Sequence, residues 1–269
     1  MTKKSSKFPS DAEVVIVGVG GIVGSMLAYW LTELGQKNIV GLEKSTVIPS
    51  DIASTAHASD FVYSTTHDKL SNWTTAFSRN FYEDNGFFLK KGGLEICRKD
   101  DDACWEELKR KVASGKAFGT NVRLISASEA KEKFPLLEEE SIRGAMWDPD
   151  AGLVTPRSQD VVRFAVESAK EKGALTTYTD TPAVGFEIEN GRVTGVKTDK
   201  GTIKTDKVVI ASGIWGPLMG GMAGVPVPLM PLEHPLLFFG PLPEAQGAED
   251  FLVYPLLRDQ GNSAYVRDT

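Results

Sequence analysis

The stretch EVVIVGVGGIVGS, Glu13 to Ser25, decides the fold. Val14 to Val17 form a short β-branched apolar run with no polar alternation, the pattern of a parallel strand buried on both faces. The run ends at Gly18, and further glycines follow at 20, 21 and 24. Next, Ile22, Leu27, Trp30, Leu31 and Leu34 recur at helical spacing, and Gly35 is the stop signal. NIVGLEK (38–44) is a second apolar strand. Strand, glycine turn, helix and strand make a βαβ unit. A glycine fingerprint alone is a weak signal, but this placement gives it a mechanism. The turn lets backbone N–H groups approach a pyrophosphate, and the helix N-terminus adds partial positive charge. Gly18, Gly20, Gly21 and Gly24 are taken together as the cofactor-binding turn. Glu43 ends the second strand 19 residues beyond Gly24, where a carboxylate accepts hydrogen bonds from ribose hydroxyls and disfavours a 2′-phosphate.

Residues 45–69 read as a loop, 69–86 as a helix, 87–99 as two short strands turning at Gly92–Gly93, and 104–119 as a charged helix. VRLIS (122–126) is a strand, and a helix capped by Ser126 or Ser128 stops at Pro135. A strand runs into a turn over 143–152. The next helix is expected to start with Thr155 as N-cap and Pro156 as its first residue. From Ala174 the pattern becomes a β-meander with turns at Asn190–Gly191 and Lys200–Gly201, followed by the buried strand KVVIASG. A short helix over 215–224 and a long strand, MPLEHPLLFFG (230–240), complete the reading. An NAD domain would continue at once with alternating strands and helices. The late meander instead suits an FAD domain split in sequence.

The chain has 269 residues and a net charge of −6, which argues against a nucleic-acid partner. No apolar run reaches membrane-spanning length, and MTKKSSKFPSDAE has no apolar core of a secretory signal. No membrane association and a cytoplasmic location are expected. Cys97 and Cys104 read as reduced thiols, with no zinc spacing. No metal site is expected; the adjacent acids of KDDDA (99–103) form a turn and cap. His57 in IASTAHASD (52–60) is by itself an ordinary loop residue. Trp147 and Trp215 read as core residues.

Together with STAHAS, KKGGLEI, FPLLEEESIRGAMWDPDAGLVTPRS, NGRVTGVKTDKGTIKTDKVVIASGIWG and VPLMPLEHPLLFF, the glycine turn resembles the D-amino-acid-oxidase-like flavoprotein superfamily. Within it, the chain is similar to the dimethylglycine oxidase/dehydrogenase and sarcosine dehydrogenase group, from about Glu13 to Arg267. The resemblance implies an α/β fold: a Rossmann-like FAD-binding domain of glutathione-reductase type (10–86 and 149–225), interleaved with an α+β substrate domain on an antiparallel sheet (87–148 and 226–269). It implies that His57 joins the flavin covalently at the 8α-methyl carbon. It implies cofactor contacts from Lys44, Ser54, Thr55, the backbone of Val184, and Gly213. His234 in PLEH and Tyr265 in AYVRD match the residues that act on the substrate. Ile52, Ala53 and Asp60 depart from the pattern, because the group has glycines there.

The implied chemistry is FAD-dependent oxidative demethylation of dimethylglycine or sarcosine. A hydride passes to the flavin and an iminium remains. Oxygen or an electron-transfer flavoprotein takes the electrons. The resemblance also implies that family chains continue past Tyr265, so this chain is expected to be a fragment, with folate a partner only if a C-terminal region exists. A glycine or D-amino-acid oxidase with non-covalent FAD, an inactive FAD-domain fragment and an NAD-binding dehydrogenase are the alternatives.

Overall fold

The computed structural model describes residues 8–64, 67–245 and 252–268. Most of the N-terminal stretch read above, and Thr269, lie outside the described residues. The chain forms two compact units, one from residues 1–59 and 157–235, the other from 60–156 and 236–269.

The elements run in order as β1 (Val14–Val17), α1 (Ile22–Glu33), β2 (Ile39–Leu42), β3 (Phe61–Val62), α2 (Lys69–Asp84), β4 (Phe88–Lys90) and β5 (Gly93–Arg98). Then come α3 (Asp102–Ala117), β6 (Arg123–Ser126), α4 (Ala127–Lys133), β7 (Ile142–Asp148), β8 (Gly152–Val154), α5 (Ser158–Glu171) and β9 (Leu175–Tyr178). The last are β10 (Ala183–Glu189), β11 (Arg192–Thr198), β12 (Gly201–Lys204), β13 (Val208–Ile210), α6 (Gly216–Met222), β14 (Leu256–Asp259) and β15 (Ala264–Val266).

The first unit is built on a parallel sheet in the order β13-β1-β2-β9. The period of two explains why β1 is apolar throughout. Val14 and Ile16 pack in one cluster with Ala28 of α1 and Val162, Val166 and Ala169 of α5. Val15 and Val17 pack in another with Val196 and Ile203 of the meander and Met219 of α6. The meander holds β10, β11 and β12 as an antiparallel sheet of its own. β9, read above as part of the meander, instead pairs parallel with β2, from Ile39↔Leu175 to Leu42↔Tyr178. α5 begins at Ser158, not at Pro156, because Arg157 is extended, with φ −154° and ψ 156°, and holds the N-cap position.

In the second unit a five-stranded sheet runs β15-β14-β5-β7-β6, and a small sheet runs β3-β8-β4. The larger sheet is antiparallel except where β14 pairs parallel with β5. Leu94 and Ile96 of β5 pack with Ala130 of α4 and Phe134 beyond it, while Cys97 packs with Leu108 and Val112 of α3. Asp101 caps α3 by accepting from the Cys104 N–H, and Ser126 caps α4 by accepting from the Glu129 N–H. The crossings fall at 59/60, 156/157 and 235/236, where residues 86/87, 148/149 and 225/226 were expected. Pairing moves the first crossing: β3 joins β8, which also holds β4, so 60–86 goes with the second unit.

The expected strand over 230–240 does not form. Residues 225–242 carry no strand, and every residue from 228 to 244 is exposed. None of the described strands pairs with the run, and an apolar strand without a partner has no ladder to join. Among the described residues, no helix is long and apolar enough to cross a membrane.

Candidate functional site

The site of the first unit lies at the carboxyl ends of its parallel strands, where open α/β sheets take their ligands. β1 and β13 run side by side up to Val17↔Ile210. The glycine turn and residues 211–213 therefore leave the sheet together. Gly18 has φ +97°, and a Cβ on it would stand 2.6 Å from the Ala211 carbonyl oxygen. A Cβ on Gly24 would stand 2.2 Å from the Gly18 oxygen, which fixes α1 close under the turn. Gly21 is the N-cap of α1 and has no side chain to cap it.

Glu43 is buried, at 6% exposure, directly beside this turn. Its Oε2 accepts the Gly20 N–H at 2.9 Å, and a Cβ on Gly20 would collide with the same oxygen at 2.4 Å. Its Oε1 accepts the Ser45 N–H at 2.9 Å and the Ser50 hydroxyl at 3.2 Å. A carboxylate offers about four acceptor positions, so three are met by the chain and one remains for a ligand hydroxyl. Lys44 is exposed and places its ammonium 3.9 Å from the centroid of Trp215. Trp215, read above as core, is half-buried under that cation.

The loop bearing His57 docks on the same helix terminus. Ser54–His57 form a short 3₁₀ turn, and the Thr55 hydroxyl accepts the Ile22 N–H of α1 at 3.0 Å. As an acceptor there, Thr55 keeps one O–H proton to offer. Ser54 and His57 are exposed. Arg157 Nη2 donates to the carbonyls of Ala56 and Ala58 at 3.3 and 3.4 Å, one on each side of His57. Sequence reasoning missed Arg157; the only signal was a cation at a helix start, where acids are preferred. Asp60, one of the departures from the glycine pattern, adopts φ +64°, the left-handed backbone that glycine takes freely and that Asp tolerates better than most.

Gly213 has φ +53° and opens the 3₁₀ turn that carries Trp215. Val184 stands on the meander sheet at a β-bulge. The ladder passes from Ala183↔Thr198 to Gly185↔Lys197 and leaves Val184 without an opposite residue. Its backbone groups are thereby turned out of the ladder.

Of the two expected substrate residues, one belongs to each unit. His234 lies in the exposed run 228–244. Tyr265 belongs to the second unit, on β15, opposite Arg258. The Arg258 guanidinium lies 5.3 Å over the Tyr265 ring, and the Phe61 ring meets Tyr265 edge-on at 5.9 Å. Arg258 also approaches Glu95 Oε2 at 3.8 Å, while Glu95 Oε1 holds Lys111 at 2.5 Å in a buried pair. Tyr63 lies beside them. Burial, and then the Glu95 charge, push its hydroxyl far above the ordinary tyrosine range.

The first unit therefore presents a helix N-terminus with glycine at its N-cap, a glycine cradle that side chains would fill, and a buried carboxylate with three of about four acceptor positions met by the chain. A dinucleotide's pyrophosphate and ribose fit that donor and acceptor set. Gly18, Gly20, Gly21, Gly24, Glu43 and Thr55 are the residues that could hold it.

Comparison with known proteins gives the family. Residues 13–269 match the family DAO, FAD dependent oxidoreductase. Human mitochondrial sarcosine dehydrogenase is 28% identical over 276 residues, which cover 98% of this chain and 28% of that protein. The mouse mitochondrial pyruvate dehydrogenase phosphatase regulatory subunit is 31% identical over 241 residues, 86% of this chain and 26% of that protein. The chain thus spans under a third of the length of both relatives. The crystal structure of L-proline dehydrogenase from P. horikoshii has a TM-score of 0.80 and 28% identity, covering 97% of this chain and 68% of that one.

Proposed function

The chain belongs to the FAD-dependent oxidoreductase family, and on that premise we propose that it takes part in oxidative demethylation of an N-methylated glycine, sarcosine or dimethylglycine. The observation that carries the FAD part is the Gly20–Glu43 bond beside the glycine N-cap of α1. The substrate part is supported by the similarity to sarcosine dehydrogenase and by the STAHAS and PLEH segments. Bound FAD supplies the two-electron acceptor for the substrate C–H. Glu43 orients the ribose, Gly20 and Gly21 admit the pyrophosphate to the helix terminus, and His57 tethers the isoalloxazine. Lys44, Ser54, Val184 and Gly213 complete the cofactor contacts. His234 holds the substrate amine as the neutral base, since only that form has a lone pair to stabilise the iminium. Tyr265, with Arg258 over its ring, forms the substrate side. Oxygen or an electron-transfer flavoprotein accepts the electrons.

The test is incubation of the purified flavoprotein with sarcosine and dimethylglycine, following bleaching of the flavin band and release of formaldehyde. Bleaching by glycine or a D-amino acid alone would shift the reading to an amine oxidase of that kind. A second reading, a flavin-binding but non-catalytic chain, is favoured by the similarity to a regulatory subunit. It predicts bound flavin that no amine bleaches. The cytoplasmic placement is a proposal from composition alone, set against relatives named as mitochondrial; subcellular fractionation decides between them.

A further inference from the structure

We infer that Arg157 is a positioning residue that presents His57 for covalent attachment of the flavin; this rests on the covalent reading above. The 3₁₀ turn Ser54–His57 is held at two points. One is Thr55 on the α1 terminus. The other is Arg157, whose Nη2 bonds the carbonyls of Ala56 and Ala58, the residues flanking His57. One guanidinium nitrogen thereby fixes the backbone on both sides of the histidine, and so the direction in which the imidazole leaves the chain.

Helix stability does not account for this arginine. It occupies the N-cap of α5, makes no side-chain cap bond there, and sets a cation at the end of the helix where the dipole is unfavourable to it. Its extended backbone instead sends the half-buried side chain across to the His57 loop.

The attachment step forms a bond between a ring nitrogen of His57 and the flavin 8α-carbon. One C–H bond at that carbon and the imidazole N–H are broken. The electron pair and both hydrogens pass through the flavin to dioxygen, giving hydrogen peroxide and the oxidised, tethered cofactor. The reaction needs the imidazole aimed at that carbon, which is what the two bonds from Arg157 secure.

The experiment reconstitutes flavin-free protein with FAD in air and samples it over time. Total bound flavin is read by absorbance of the native protein, and covalent flavin by fluorescence of the acid-precipitated pellet. Arg157→Met, which keeps the stem and loses the donors, is expected to bind FAD as the parent does. Its covalent attachment should slow by about tenfold or more. Arg157→Lys is expected to recover most of the rate. If Arg157→Met loses its cooperative melt, Arg157→Gln makes the same comparison. Attachment at the parent rate in the Met or Gln variant overturns the inference. A parent protein whose flavin all stays in the supernatant overturns the covalent reading itself, and this inference with it.

Discussion

Two stretches that the sequence marks for chemistry end in opposite states. Around the glycine turn, Gly18, Gly20 and Gly24 each have a neighbour within 2.6 Å of where a Cβ would stand, and Glu43 is buried against them. Along 228–244, which carries His234, every residue is exposed, including Phe238 at 79% and Phe239 at 81%. The first stretch has its partners in place, because β1 pairs with β2 and β13 and the turn meets Glu43, Thr55 and Ala211. The second is an apolar run whose groups need a neighbouring strand before they acquire a position. A site on paired strands takes its shape; an apolar run without a partner strand does not.

Four substitutions probe that contrast. Gly24→Ala has the largest expected effect, since its methyl group meets backbone 2.2 Å away. A loss of about 3 kcal/mol is expected in urea unfolding. An unchanged midpoint would mean the turn is slack. His234→Ala should leave stability and flavin content as they are and slow amine oxidation about 100-fold; unchanged turnover would remove His234 from the chemistry. Glu43→Gln replaces one acceptor oxygen by an amide, so the N–H of Gly20 or Ser45 loses its partner. About 1–3 kcal/mol is expected, together with weaker FAD binding. Phe238→Ser should shift stability by no more than about 0.5 kcal/mol. A loss of several times that would show the run packed in solution and close the gap between the two stretches.

What could be read in the sequence follows the same division. β1, α1, β2 and the four glycines were legible because their pattern lies within 30 residues, although Gly18 meets Ala211 and β1 pairs with β13 at the far end of the chain. The pairing of β9 with β2 was not, since a crossover through α5 intervenes and LTTY has no feature that separates a sheet strand from a meander strand. The unit boundary at 59/60 was hidden because β3 is only two residues long and gains its place from β8, some 90 residues later. Arg157 was invisible for a like reason: its partners are the carbonyls of Ala56 and Ala58, and backbone acceptors leave no trace in side-chain identity. The bulge at Val184 is also a property of pairing and not of composition.

The glycine turn and Glu43 are proposed to hold FAD. Titrating the flavin-free protein with FAD, followed by quenching of flavin fluorescence, tests it most directly when run beside Gly20→Val. The account predicts saturation at one FAD per chain for the parent and loss of binding for Gly20→Val, whose side chain must enter the space of the Glu43 carboxylate. Saturation of Gly20→Val at the parent affinity, or a parent that binds NAD and leaves FAD untouched, would contradict it.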